Sequence, residues 1–137
     1  MLLTIEKVLI LKTVGIFSDI PEAALVDVAS VLDEVEFDPE TEIFRKGDTG
    51  SSLYVVVSGR VRVFDGDRLI AILGEGEVFG EMAALDPEPR MASVSAIEST
   101  TLLRMDNESL NELMSEHREV ALGIVRMFCR RLRKMGQ

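Results

Sequence analysis

The spacing of apolar positions changes twice along this chain of 137 residues, and the changes divide it into three parts. Apolar residues recur at helix-like intervals over 2–16 and again over 21–33, which predicts an N-terminal helical segment within residues 1–33. Residues 34–105 instead hold short runs of strand-forming residues separated by glycines, a pattern typical of an all-β sandwich or barrel. Helical spacing returns over 106–137 and predicts two closing helices.

Local capping and turn signals mark where these elements begin and end. Asp19 stands two residues before Pro21, an arrangement that indicates a helix start, and Asp106 is a predicted N-cap of the first closing helix. Asp65-Gly66 lies between two alternating runs and predicts a hairpin, because a tight turn needs positive φ angles. The predicted strands cover 43–45, 53–58, 60–64, 69–73, 91–96 and 101–105.

One segment in the strand region carries an acid and a base around a turn of small residues. Glu81 follows Gly80 and precedes Ala83 and Ala84, and Arg90 comes nine positions after Glu81. A carboxylate accepts hydroxyl protons, whereas a guanidinium donates a planar fork of N–H groups to phosphate oxygens. Glu81 therefore suits a ribose and Arg90 suits a phosphate. The small residues let backbone amides at the start of a short helix approach an anion.

These residues resemble the signature of a known family. Phe-Gly-Glu-x-Ala-x-Leu over 79–85, followed by Pro-Arg-x-Ala-Ser-Val over 89–94, is similar to the phosphate-binding cassette of the cyclic nucleotide-binding domain family. The resemblance covers roughly residues 14–134. It implies an α+β fold, in which an eight-stranded antiparallel β-roll of jelly-roll type is flanked by N-terminal helices and two C-terminal helices. A short phosphate-binding cassette helix within 79–94 interrupts the roll, and we expect one such domain over 1–137.

The resemblance also implies a ligand, cAMP or a related cyclic nucleotide, and no separate cofactor. In that family the glutamate, here Glu81, binds the ribose 2′-hydroxyl, and the arginine, here Arg90, binds the cyclic phosphate, while the amides of Ala83 and Met91 complete the cradle. The expected ligand-binding residues are Gly80, Glu81, Met82, Ala83, Arg90, Met91 and Ala92. Relatives that favour guanine carry threonine at the position of Met91, so the resemblance modestly favours cAMP over cGMP.

A member of this family is expected to be a regulatory sensor, in which binding moves the C-terminal helices as a lid. Candidate lid residues lie within 126–132, where Phe128 or a neighbouring arginine is placed to contact the base. Two alternatives stay open. In one, Glu81 and Arg90 form only a structural ion pair; in the other, the fold is an interaction or dimerisation scaffold that binds no ligand.

Composition and charge narrow the classes of function. The net charge is −9, with 47% hydrophobic and 28% charged residues, as in ordinary globular proteins. Residues 116–137 hold six basic and two acidic residues, a pattern typical of a solvated helix end. Because the rest of the chain is acidic and would repel a polyanion, we expect no direct DNA binding. The expected partners are the cyclic nucleotide, an effector domain or partner protein, and a second copy of the chain through the C-terminal helix.

The remaining reactive residues indicate no catalysis. His117 is the single histidine and is predicted to face solvent, and no cluster of His, Cys and carboxylate residues has the spacing of a metal site. The serines have no histidine neighbour that would make them nucleophiles. The single cysteine, Cys129, fits a reducing compartment. Because neither a metal site nor an activated nucleophile is indicated, we expect that the protein is not an enzyme. No apolar run suits a membrane span or a signal peptide, and we therefore expect a cytoplasmic protein.

Overall fold

The computed structural model describes residues 1–136, and the chain begins with helices. They are α1 (Thr4–Leu11), a 3₁₀ turn (Gly15–Phe17) and α2 (Glu22–Ser30). The helix predicted over 2–16 therefore ends early, because the chain turns after Leu11 to bury Val14, Ile16 and Phe17. The helix predicted over 21–33 also ends early, since Asp33 already lies in the first strand.

Ten strands follow, all paired antiparallel. They are β1 (Asp33–Phe37), β2 (Glu42–Phe44), β3 (Thr49–Gly50), β4 (Ser52–Ser58), β5 (Val61–Asp65), β6 (Arg68–Leu73), β7 (Val78–Phe79), β8 (Glu88–Pro89), β9 (Ser93–Ala96) and β10 (Thr100–Asp106). One four-stranded sheet has the order β1-β10-β4-β7 and the other the order β2-β9-β5-β6. These two sheets form the predicted eight-stranded roll, and β3 pairs with β8 as a two-residue ribbon, so the α+β class is confirmed.

The hairpin predicted at Asp65-Gly66 joins β5 and β6. Asp65 lies opposite Arg68, and Gly66 in the intervening loop has a φ of 61°, a value that favours glycine. The strand predicted over 91–96 starts two residues late, at Ser93. The residues just before Ser93 do not extend this strand, because the chain at Arg90 is bonded to another segment: the Arg90 amide donates to the Asp48 carbonyl at 2.8 Å.

The sheet that contains β4 and β10 separates two apolar clusters. Along β4, Leu53 and Val55 belong to the cluster shared with the helices, whereas Tyr54 and Val56 belong to the cluster inside the roll. Side chains alternate between the two faces of a strand, so a run that is apolar at every position serves both clusters at once. The ligand-binding residues predicted from the sequence lie on the roll side of this sheet, around Phe79.

Two helices close the chain, α4 (Asn107–Glu116) and α5 (Arg118–Met135). The first half of α5 is fixed in the helical cluster by Val120, Ile124 and Met127, which are at most 4% exposed. Gly123 lets α5 approach the N-terminal segment closely, since a Cβ atom at this position would lie 3.0 Å from Ile20 Cγ1. Among residues 1–136, no helix combines the length and the apolar character needed to cross a bilayer.

Two polar residues are placed differently from the sequence predictions. Asp19 does not cap α2, whose N-cap is Pro21, and instead pairs with Arg130 of α5. His117 was predicted to face solvent, but its side chain is only 24% exposed. Its Nε2 lies 2.8 Å from Asp27 Oδ2 and its Nδ1 lies 3.3 Å from Glu119 Oε1. Both side chains therefore contact residues on other helical segments, and sequence spacing does not reveal such contacts.

Asp106 caps α4 as predicted, because its Oδ1 accepts a hydrogen bond from the Ser109 amide at 2.8 Å. We expect Asp106→Ala to lower the free energy of unfolding by about 1 kcal/mol, whereas Asp106→Asn, which keeps a capping oxygen, stays near wild type. Urea unfolding followed by circular dichroism measures both. Equal losses in the two variants would show that the capping oxygen is not the cause of the destabilisation.

Candidate functional site

The predicted cassette is a short helix that lies between β7 and β8 in the chain and packs against β4 and α4. β7 ends at Phe79, Gly80 adopts the left-handed conformation with φ 79°, and α3 (Glu81–Leu85) follows directly. A Cβ atom on Gly80 would lie 2.7 Å from the Ser52 carbonyl oxygen and 2.9 Å from Arg90 Nη1. Glycine is therefore required here both for its backbone angle and for the close approach of the arginine.

Arg90 is the buried charge of this region, with only 7% of its surface exposed. Its Nη2 donates to the Ser52 carbonyl at 3.0 Å, and its guanidinium lies 4.0 Å from the centre of the Phe44 ring. Gly50 makes this position accessible, since a Cβ atom there would come within 2.0 Å of Arg90 Nε. Neither Nε nor Nη1 has a hydrogen-bond partner among residues 1–136.

The electrostatics of Arg90 follow from this burial. Removal from water lowers the pKa of Arg90 below its ordinary value, and Tyr54 and Asp48 partly oppose that shift. The guanidinium stays protonated all the same, because its ordinary pKa lies far above neutrality. Binding of an anion to a desolvated cation with two unpartnered donors is strongly favourable.

Glu81 does not pair with Arg90. Its Oε1 lies 3.2 Å from Nη1 of Arg131 on α5, and its side chain is 16% exposed. The alternative of a structural Glu81–Arg90 ion pair is therefore wrong for this structure, because each residue has a different environment. The acid is held by the C-terminal helix, whereas the base keeps free N–H groups.

One cavity of about 430 Å³ brings the predicted residues together. All seven expected ligand-binding residues line it, namely Gly80, Glu81, Met82, Ala83, Arg90, Met91 and Ala92. The opposite wall is apolar and consists of Phe44, Val63, Ala71, Leu73, Val78, Phe79 and Val94. The volume of the cavity lies in the range of roughly 300–1,000 Å³ that is usual for small-molecule sites, and both charged and apolar residues line it.

The rim of the cavity is exposed. Met82 is 64% exposed and Met91 is 84% exposed, so both methionines stand at the mouth. Asp86 and Glu88 also line the cavity, and both are exposed, so water screens their charge from an anion on Arg90. Ala83 is buried in the first turn of α3, where backbone amides lack partners within the helix.

Three residues that shape this site were not predicted as part of it. Phe44 and Gly50 pack against the Arg90 guanidinium, and the Ser52 carbonyl accepts its one hydrogen bond. The sequence places Phe44 and Gly50 in ordinary strand and turn positions. A strand aromatic and a nearby glycine gave no signal, because their role depends on strand pairings that bring them beside the arginine: β2 with β9 for Phe44, and β3 with β8 for Gly50.

Comparisons with known proteins identify the family of the chain. Residues 34–117 match the family model of the cyclic nucleotide-binding domain. The chain is 31% identical over 130 residues to a CRP-like cAMP-activated global transcriptional regulator of Mycobacterium tuberculosis, over 91% of this chain and 58% of that protein. It is 34% identical over 110 residues to a cGMP-dependent protein kinase of Toxoplasma gondii, over 80% of this chain and 11% of the kinase.

A solved structure has the same fold over nearly the whole length. The N-terminal domain of a transcriptional regulator from Streptomyces coelicolor superposes with a TM-score of 0.84 at 29% identity, covering 93% of this chain and 92% of that one. The chain spans less than two thirds of the full-length bacterial regulator it matches. The family model and the bacterial relative show that the chain belongs to the cyclic nucleotide-binding domain family.

Proposed function

We propose that this chain is a regulatory module that binds a cyclic nucleotide in the cavity between the cassette and the roll. The observation that carries the proposal is Arg90, which is buried, charged and left with two unpartnered donors beside that cavity. The phosphate of a cyclic nucleotide is a compact anion that fits such a fork. Glu81 would accept the ribose hydroxyl protons, and the amides of Ala83 and Met91 would complete the cradle.

We assign the apolar wall of the cavity to the base. Phe79 stacks on Tyr54 with ring centres 5.0 Å apart, and Val63, Ala71 and Leu73 continue the wall. A purine would be covered by these side chains and by exposed Met91 at the mouth. Met91 has no hydroxyl to offer guanine, which supports cAMP over cGMP. The relatives do not decide the base, since one is named for cAMP and another for cGMP.

The output of binding is proposed to be movement of the C-terminal helices. α3 packs against α4, and α4 packs against α5, so the cassette has a continuous packed route to the last helix. A ligand shifts such an element only if it contacts the two arrangements differently. The cassette is the place where that difference would arise, because it carries both the proposed ligand contacts and the contact to α5.

A second copy of the chain is the proposed partner of α5. Val125, Leu132 and Met135 are at least 56% exposed, and their spacing places them along one side of the helix. This stripe also favours the second candidate function, an interaction scaffold. A dimer that forms without nucleotide and ignores its addition in sedimentation velocity favours the scaffold, whereas a change in assembly on addition favours the sensor.

The remaining expectations concern catalysis, DNA binding, the effector and the cellular location. The family is one of regulatory modules, and the matched kinase shares only 11% of its length with this chain, so we place no catalysis here. The expectation that the protein does not bind DNA finds no support, because relatives include transcriptional regulators. The expected effector and the cytoplasmic location stay predictions.

Arg90→Met tests the phosphate contact while keeping an apolar side chain of similar length. We expect it to lose about 2–5 kcal/mol of cAMP binding free energy in isothermal calorimetry, the usual effect of removing one partner of a buried charged pair. Its fold should survive, because replacing an unpartnered buried charge by an apolar group is often neutral or stabilising. Arg68→Met, at an exposed arginine outside the cavity, is the matched control. Unchanged affinity in Arg90→Met would refute the proposal.

Glu81→Ala tests the ribose contact when it is combined with 2′-deoxy-cAMP. We expect the deoxy analogue to bind wild type more weakly than cAMP, because the carboxylate then lacks its donor. In the variant the two ligands should bind nearly alike. Calorimetry of the four combinations measures the coupling, and an equal penalty for the analogue in both proteins would mean that Glu81 does not contact the 2′-hydroxyl.

Met91→Thr tests the origin of the base preference. A threonine hydroxyl at the mouth would offer guanine a hydrogen bond of about 0.5–1.5 kcal/mol, so cGMP affinity should rise relative to cAMP. Met91→Val removes the same methionine without adding a hydroxyl and should leave the ratio unchanged. Competition of both nucleotides against one fluorescent cAMP analogue gives the ratio, and equal shifts in Thr and Val variants would exclude the hydroxyl as the cause.

A further inference from the structure

The cassette helix is too short to fix its own position. α3 has five residues, and its hydrogen bonds include those from the Ala84 amide to the Gly80 carbonyl at 3.3 Å and from the Asp86 amide to the Met82 carbonyl at 2.9 Å. The last carbonyl groups of a helix have no partner within it, and a single helical turn is unstable by itself in water. The position of α3 therefore depends on contacts from other segments.

Different parts of the fold hold the two ends of α3. At its start, Gly80 lies close to the Ser52 carbonyl of the roll and to Arg90. Near its end, the Ala84 carbonyl accepts a hydrogen bond of 2.6 Å from Nδ2 of Asn107, the first residue of α4. Ala84 is fully buried, and a buried carbonyl that loses its partner is strongly unfavourable. The Asn107 side chain therefore anchors this end of the cassette.

Asn107 is itself held in place by its own helix. Asn111 Nδ2 donates to Asn107 Oδ1 at 3.2 Å, so the amide oxygen has a donor and the amide nitrogen faces the cassette. Asp106, the preceding residue, caps α4 through the Ser109 amide. Among residues 1–136, Asn107 is not one of those that line the cavity, so its effect on a ligand would pass through α3.

The residues of α3 just before Ala84 are those that face the cavity. Glu81, Met82 and Ala83 line it in succession. The Ala84 carbonyl and the Ala83 amide, which is proposed to face the phosphate, lie within one helical turn. A displacement of the Ala84 carbonyl would therefore move the groups that are proposed to contact the ligand.

We infer that Asn107 is a positioning residue for the nucleotide site: its hydrogen bond to the Ala84 carbonyl holds α3 in the conformation that presents Glu81 and the Ala83 amide to the ligand. This inference rests on the proposed nucleotide site. Without the bond, the end of α3 moves to bring the carbonyl to water, and only part of the protein keeps the binding conformation. The apparent affinity falls with the fraction of the protein that is competent to bind.

Asn107→Leu tests the inference, because leucine has nearly the shape of asparagine but no donor. We expect cAMP to bind about two- to ten-fold more weakly in isothermal calorimetry, the fold-change that corresponds to the net contribution of one hydrogen bond. The titration is made at a temperature at which circular dichroism shows every protein folded. Asp106→Ala is the matched control, because it removes a side-chain hydrogen bond within α4 and should lower stability while leaving affinity near wild type.

Hydrogen exchange of the Asp86 amide, measured by NMR, gives a second readout at the end of α3. We expect this amide to exchange faster in ligand-free Asn107→Leu than in wild type, and saturating cAMP to slow it again. Asp106→Ala should leave its exchange near wild type. If Asn107→Leu does not fold, Asn107→Ala leaves room for water at the Ala84 carbonyl, and the same changes are expected with a smaller loss of affinity.

The outcomes separate this inference from the proposed function. Wild-type protein that binds no cyclic nucleotide refutes the proposed site, and the inference falls with it. If wild type binds and a folded Asn107 variant binds as tightly, the site stands and the positioning role is refuted. Equal losses of affinity in Asn107→Leu and Asp106→Ala would also refute it, because the loss would then follow the stability of α4 and not the bond to the cassette.

Discussion

The structure around the cassette depends on keeping one positive charge nearly out of water without neutralising it. Arg90 gives one N–H to a carbonyl, lies against the Phe44 ring and leaves two donors unpartnered within residues 1–136. Such a group destabilises the unliganded protein, because burial of an unpaired charge is unfavourable. The neighbouring sequence accommodates it: Gly50 and Gly80 provide the space, and the Arg90 backbone is fixed to Asp48. A bound phosphate would give Arg90 the anionic partner that the protein itself does not provide.

The same small helix links this charge to the rest of the molecule. α3 begins at Glu81, which contacts α5, and ends beside Ala84, which contacts α4. The first half of α5 is packed in the core, and its second half is exposed. The cassette therefore contacts a helix whose first half is buried in the core and whose second half is exposed, and the proposed helix movement would act on that second half.

Local signals were readable from the sequence, and contacts between distant segments were not. The cassette, the hairpin at Gly66 and the cap at Asp106 follow from neighbouring residues, and the structure contains all three. β1 was missed because its alternating acids suit an edge strand, which is recognisable only once β10 is beside it. The partner of Glu81 was missed for the same reason, since Arg131 lies 50 residues away along the chain. Arg131 was predicted only as one of the candidate lid residues within 126–132.

The central claim is that this cavity binds a cyclic nucleotide, and titration of the wild-type protein with cAMP tests it most directly. Mass spectrometry should first establish that no nucleotide has co-purified, and circular dichroism that the sample is folded. Isothermal calorimetry is then expected to give saturable heat with one site per chain, and adenosine, which lacks the phosphate that Arg90 would hold, should bind far more weakly. A folded, nucleotide-free protein that gives no heat with cAMP or cGMP would contradict the account.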